Sequence, residues 1–419
     1  MGNMDFQEMI SVGEAEKAIE KYLPRYAPVT LPLSRCTGRI LAEPILADRA
    51  QPPFHRVAMD GIAISFAAYT KGRRRFRVEG KQMAGEAART LDSEEGCFEA
   101  MTGAVLPLGT DCIIPVEELS VVDGFATHVE SSGTKSSTSK APPAAYRNVH
   151  RAGSDCSVGA VIVPAGTRLT APHLGAAAAF GFSTLTVSAL PVASVIATGD
   201  ELVPPNQEPL PYQIRKSNPY AAEAGLRRIG IESVTLYHAR DDQDLLRETI
   251  VTALEKCDVL ILSGGVSMGQ ADYVPSVLKG LGVTAVFHKI RQKPGKPFWF
   301  GITKSGVPVF ALPGNPASLL MCLHRYVLPA LWRAMGGSLQ GPVGFFEEVV
   351  LGEEFSASPK LTQFQPVRVT EIGKGIRSVR KVGNQGSGDF SAWAVADGFV
   401  ETPPGPSLLA GTYVRFWRW

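Results

Sequence analysis

Apolar residues recur at helical spacing near the N-terminus and then change rhythm. Ala15, Ala18, Ile19 and Leu23 follow Ser11 and Glu14, a capping-box pair, so the first 23 residues read as a helix that Pro24 and Pro28 end. From about 29 to 190 short apolar runs alternate with Gly and Pro: Val57 to Phe66, Cys112 to Val116, Gly124 to Val129 and Ala160 to Val163. That pattern predicts strands and turns. Ser131 to Ala145 is mostly Ser, Thr, Lys and Pro, cannot build a core, and reads as a surface loop.

Near 191 the pattern becomes an alternation of strands and helices. Val192 to Ala197, Val234 to Tyr237, Val259 to Leu262, Val283 to Phe287 and Val307 to Leu312 read as strands. Tyr220 to Ile229, Asp242 to Lys256, Val274 to Leu281 and Ala317 to Met335 read as helices. Continuously apolar strands between helices predict a parallel sheet covered on both faces, with ligands at the carboxyl ends of its strands. After Gly336, Phe345 to Leu351, Gln365 to Val369, Ile376 to Val382 and Thr412 to Trp417 read as strands of a small all-β domain. The fold class expected is therefore multidomain α/β. A central parallel α/β domain lies between β-rich N-terminal domains and a C-terminal β domain.

Composition narrows the function classes. The net charge of +2 over 419 residues gives no basic face for nucleic acid. No apolar run reaches the length of a membrane span, and the N-terminus lacks the order of a signal peptide. The six cysteines are scattered with no CxxC, which suits reduced core residues of a cytoplasmic protein. No HxH, HExxH or Walker A motif occurs, which argues against zinc and P-loop chemistry.

The candidate chemistry lies at the predicted strand ends. Thr198-Gly199-Asp200-Glu201, Ser263-Gly264-Gly265-Val266-Ser267 and Pro313-Gly314-Asn315-Pro316 are turns of small residues, each following a strand. One such turn is equally a tight connection. Three at one sheet edge point to backbone N–H groups that bind an anion. Asp200, Glu201, Asp241, Asp242 and Asp272 gather at the same edge, although Asp242 could simply cap a helix. Carboxylates beside a phosphate site imply a divalent cation, and the mixture predicts Mg2+. Alternation places Lys289, Arg291 and Lys293 on one face of an extended segment, followed by Lys296, as a clamp for an oxyanion.

These pieces together resemble one family, molybdopterin molybdenumtransferase, the bacterial enzyme related to the E domain of gephyrin. The resemblance rests on ordered motifs: PPF to AMDG (Pro52 to Gly61), AGEA (84–87), MTGA to LP (101–107), N-x-x-R-x-G-x-D (148–155) and TGDEL (198–202). It continues through SN (217–218), RDD (240–242), SGGVSMGQADY (263–273), KPGKP (293–297) and LPGNPAS (312–318), with an echo in Gln385 to Gly388. His55, Ile62 and His150 depart from the family pattern.

The resemblance implies Mg-dependent insertion of molybdate into adenylylated molybdopterin with release of AMP. It implies roles for Asp60, Thr102, Asp155, Glu201, Asp241 and Asp272 in catalysis, with Asp241, Asp272 and Glu201 at the metal. Substrate binding falls to Arg151, Asn218, Ser263, Gly264, Gly265, Ser267, Lys289, Lys293, Lys296, Pro313, Gly314, Asn315 and Pro316. It further implies a homodimer with the active site between subunits, and a molybdopterin adenylyltransferase as upstream donor. The implied domains are an N-terminal helix (1–26), an elongated linking and dimer domain (27–50 and 146–188) and a β-rich insertion (51–145). The α/β molybdopterin-binding domain (189–335) and the C-terminal β domain (336–419) follow. Three other readings stay open: a gephyrin-like scaffold for a partner peptide, a paralogue for another oxyanion such as tungstate, and the related adenylyltransferase.

Overall fold

The computed structural model describes residues 9–129, 143–266, 272–338, 345–372, 376–383, 386 and 388–419. Ser267, Gln385, Ser387 and most of the Ser/Thr/Lys/Pro stretch lie outside the described residues. The chain forms two compact units, one of residues 1–43, 165–174 and 184–419, the other of 44–164 and 175–183.

In the larger unit the N-terminal helix is Val12–Tyr22. Its capping box is complete: Ser11 Oγ accepts from Glu14 N at 3.2 Å, and Glu14 Oε2 accepts from Ser11 N at 2.6 Å. Val12, Ala15 and Ile19 are the buried stripe. They enter the same core as Phe287, Phe298 and Phe300.

The central sheet runs, in spatial order, Val234–Ala239, Ala193–Thr198, Val259–Ser263, Pro308–Leu312, Trp299–Ile302 and Thr284–His288. The first four are mutually parallel. Trp299–Ile302 is antiparallel to both of its neighbours, so the sheet is mixed. The apolar pattern alone does not reveal this strand. Trp299 to Ile302 is a four-residue run, and Trp299, Phe300 and Gly301 are all buried, so it carries no period to read. Alternate strand residues feed opposite layers: Val195, Ile261 and Phe310 face one core, and Ile196, Leu260 and Val309 the other. Asn218–Arg228 packs in the first layer, and Gln243–Leu254 with Val274–Gly280 in the second.

The helix expected over Ala317 to Met335 is interrupted. Pro316–Cys322 and Leu328–Ala334 are α-helical, and Leu323–Val327 between them is a π-helical turn. Pro329 has no N–H to give the carbonyl four residues back and crowds it, which is where such a turn forms.

The C-terminal strands close on themselves. Thr362–Ile372 pairs with both Ile376–Lys381 and Gly398–Thr402, and Phe346–Leu351 and Tyr413–Arg418 complete the ring. Gln292–Lys293 adds to it from outside, pairing in parallel with Thr362 and Gln363.

The smaller unit is built on a six-stranded sheet ordered Cys112–Pro115, Gly61–Ile64, Gly96–Ala100, Arg75–Gln82, Phe125–His128 and Leu119–Val122. Gly61 is a packing requirement, because a Cβ there would lie 2.0 Å from the Ile114 carbonyl oxygen.

His324 on the π-helical turn supplies a pH test. Burial, with help from the nearby Arg228 cation, pushes its pKa down to about 3 from 6.5, so the folded chain holds it neutral. The unfolded chain takes up a proton below 6.5 and the folded chain does not. The resulting stability is therefore intact above pH 6.5 and lost progressively toward about 3. At pH 5 the loss is about 2 kcal/mol. Urea midpoints measured from pH 7 to 5 should fall less steeply in His324→Phe than in the parent. Parallel profiles would show that His324 is not the cause.

Candidate active site

Four parallel strands end on one edge, and the turns after them are stitched together. Gly264 N donates to Leu312 O at 3.1 Å. Asn218, at the start of its helix, donates from Nδ2 to Ser263 Oγ at 2.8 Å and to Gly314 O at 2.7 Å. One buried amide thus holds three segments. Gly264, at φ +100°, lies against Thr198, where a Cβ would meet Thr198 Oγ1 at 2.7 Å and its carbonyl oxygen at 3.0 Å. Only glycine allows that approach.

These turns enclose a cleft of about 450 Å³. Its lining includes Glu201, Asn218, Asp241, Ser263, Gly264, Gly265, Asp272, Pro313, Gly314, Asn315 and Pro316. Arg215, Lys216 and Ser217 also line it, and the motif reading did not single them out as ligands. Their signal was adjacency to Asn218. Arg215 pairs beside the segment after Glu201, in the register Val203 to Arg215, which brings the two stretches to one rim.

The acidic residues divide by role. Glu201, Asp241 and Asp272 line the cleft. Asp200 pairs with Arg240 at 3.2 Å, and its N–H donates to Asp241 Oδ2 at 3.3 Å, so it braces Asp241. Asp242 caps the helix Gln243–Leu254, accepting from Asp244 N at 3.0 Å and Leu245 N at 2.9 Å. Among the described residues no group of three Asp, Glu, His or Cys side chains is drawn together to hold a metal.

A second cleft of about 510 Å³ shares Pro297, Pro313 and Asn315 with the first. Lys293 and Lys296 line it on one side, and Gln363, Phe364, Gln365 and Trp393 of the C-terminal domain on the other. The barrel residues carried no local signal in the sequence, since domain packing alone brings them to the lysines. Lys289 lines neither cleft. The expected shared face of Lys289, Arg291 and Lys293 does not form. Lys289 adopts φ +75°, which breaks the alternation, and Arg291 turns to the N-terminal helix, reaching Met9 O at 2.6 Å and Glu14 at 3.4 Å. His288 beside it bonds Val266 O at 3.1 Å, and burial holds its pKa below the usual value.

Asp60, Thr102, Arg151 and Asp155 belong to the smaller unit. Asp60 Oδ1 accepts from both the N–H and the hydroxyl of Thr102, each at 2.7 Å, which joins the AMDG and MTGA segments. The two bonds hold the Asp60 carboxyl below its ordinary pKa, chiefly through the backbone donor. Arg151 lies over the Tyr146 ring at 4.1 Å, and Asp155 Oδ1 accepts from Ser154 Oγ at 2.9 Å. The departing residue His55 has a local role: its Nδ1 accepts from Ala152 N at 3.1 Å in that same segment.

Comparison with known proteins covers nearly the whole chain. Residues 10–181 match the MoeA N-terminal region (domain I and II). Residues 194–333 match a probable molybdopterin binding domain, and 348–419 the MoeA C-terminal region (domain IV). A molybdopterin molybdenumtransferase of Synechocystis sp. is 36% identical over 413 residues, covering 98% of this chain and 100% of its own. That of Haemophilus influenzae is 29% identical, with 94% of each chain covered. A crystal structure of the molybdopterin biosynthesis MoeA protein from Pyrococcus horikosii superposes with a TM-score of 0.79 at 29% identity, covering 98% of this chain and 99% of that one. Among the described residues no helix is long and apolar enough to cross a membrane. With matches that run end to end in both sequence and fold, the chain belongs to the molybdopterin molybdenumtransferase family, transferases of molybdenum-cofactor biosynthesis.

Proposed function

We propose that the chain inserts molybdenum from molybdate into adenylylated molybdopterin and releases AMP, with Mg2+ as the metal. The observation that supports this most is one cleft lined by Glu201, Asp241, Asp272 and the glycine turns, sharing a wall with the cleft of Lys293 and Lys296. Breaking a phosphoanhydride needs charge neutralisation and in-line placement more than a covalent nucleophile. Main-chain N–H groups in the turns at Gly265 and Gly314 are suited to phosphate oxygens. Mg2+ takes one or two carboxylates, substrate phosphate oxygens and several waters. Glu201, Asp241 and Asp272 offer that hard donor set in one cleft without a preformed three-ligand cage. When bound, the ion would neutralise phosphate charge.

In this reading Lys293 and Lys296 serve the oxyanion. A molybdate oxygen attacks the adenylyl phosphorus. The anhydride P–O bond breaks, and its electron pair leaves with the molybdopterin phosphate, giving an adenylyl–molybdate. The dithiolene sulfurs then attack molybdenum, and the Mo–O bond to the adenylyl group breaks, so that AMP leaves with the former molybdate oxygen. The enzyme works in the cytoplasm as a homodimer built on 27–50 and 146–188. Asp60, Thr102, Arg151 and Asp155 complete the partner subunit's site, and an adenylyltransferase supplies the substrate. The test mixes purified protein, adenylylated molybdopterin, Mg2+ and oxygen-labelled molybdate in a single turnover. Molybdate-dependent AMP carrying the molybdate label is expected. Label from bulk water in that AMP would overturn the attack step, and no AMP at all would overturn the reading.

A further inference from the structure

A buried polar cluster lies beneath the lysine loop, where an apolar core would be the simpler filling. Gln292 is 1% exposed. Its Nε2 donates to Gly295 O at 2.9 Å and contacts Cys322 Sγ at 3.6 Å, and its Oε1 accepts from the Tyr326 hydroxyl. The Cys322 thiol also leans on the Gly295 carbonyl, at 3.8 Å. Burial drives the Tyr326 phenol well above its ordinary pKa, so it stays a neutral donor. Every polar atom of the Gln292–Tyr326 pair is satisfied. A buried amide and phenol are costly without such pairing, and a fully satisfied network specifies one geometry.

The geometry it specifies is that of the loop above. Gly295 has φ +85° and rests directly on the cluster. A Cβ there would come within 2.5 Å of Met321 Cε, 2.7 Å of Cys322 Sγ and 2.9 Å of Gln292 Nε2. Lys293 and Lys296 stand either side of it and line the second cleft. A lysine ammonium rides on a flexible stem, so its placement depends on a fixed backbone.

We infer that Gln292 and Tyr326 are positioning residues of the oxyanion cleft: Gln292, held by the Tyr326 hydroxyl, grips the Gly295 carbonyl and so sets the spacing of Lys293 and Lys296. This rests on the proposed reading of that cleft. The test measures AMP release while molybdate and adenylylated molybdopterin are varied separately, using Gln292→Leu, Tyr326→Phe and the double variant. Each is expected to raise KM for molybdate about tenfold, the loss of about one hydrogen bond's worth of placement, and to shift KM for the pterin less than about twofold. Each single variant strands a buried polar partner and should lower the melting temperature. The double variant removes both members of the Gln292–Tyr326 bond and leaves only the Gly295 carbonyl without its amide donor, so it should recover part of the loss. A molybdate KM that stays high in the double variant while stability returns separates positioning from core filling. A molybdate KM that recovers together with stability, or two KM values that rise together, would overturn the inference. Absence of molybdate-dependent AMP release in the unsubstituted chain would overturn the underlying reading and the inference with it.

Discussion

Alanine at Asp241, or at Asp272, is expected to lower kcat/KM for AMP release by about 10²–10³-fold, and at Asp241 to leave the urea transition nearly unmoved. The activity loss follows from removing one fixed charge from a cleft built to place charge on a phosphoanhydride, where single preorganised groups are worth that much. Stability at 241 is spared because Asp241 is exposed and, among the described residues, its carboxylate accepts only a long 3.3 Å bond from Asp200 N. Exposed substitutions of this kind stay within about 0.5 kcal/mol. The neighbouring residue is the control. Asp242→Ala removes a helix cap worth about 1 kcal/mol from the adjacent chain position and should keep its turnover. Full activity in both Asp241→Ala and Asp272→Ala would refute their place in the site, and equal losses at 241 and 242 would point to damage of the whole turn.

The second large effect is on stability and centres on Arg325. This guanidinium is 2% exposed and bonds Glu16 of the N-terminal helix and Glu401 of the barrel, each at 3.0 Å. It also lies 4.5 Å from the centre of the Trp417 ring. Arg325→Met should cost about 3–5 kcal/mol, because it leaves two carboxylates without their cation, Glu401 largely buried. Glu16 keeps partial compensation from Arg333 at 3.5 Å. Replacing all three charges with apolar side chains of similar volume should recover most of the loss, since the ions then no longer need desolvation. Urea midpoints of the single and triple variants decide the matter. A single variant within about 0.5 kcal/mol of the parent would mean that the ion cluster contributes nothing.

Legibility from sequence followed the range of the interaction. Ser11 with Glu14 is a local pair, and it forms as read. The parallel strands were readable because their apolar runs are bounded by turns. Trp299–Ile302 was not, since a buried strand carries no alternation. The interruption of the helix after Cys322 was foreshadowed only by Pro329. The acidic residues near 200 and 241 show the same limit at the site. Asp200, Asp241 and Asp242 are alike in composition, and only tertiary placement makes one a brace, one a cleft residue and one a cap. Similarly, no rule of spacing joins Lys293 to Gln363, which meet through a strand pairing between distant segments.

That pairing has a consequence for how the molecule fails. Gln292 and Lys293 draw part of their backbone support from Thr362 and Gln363, so the lysine loop belongs to the barrel's hydrogen-bonded fabric as much as to the α/β sheet. Local opening of that barrel edge, well below global unfolding, would release the loop while the parallel sheet stayed closed. Amides of the loop should then exchange with solvent at the barrel's rate. A destabilised barrel would silence the enzyme before any loss of folded protein became visible.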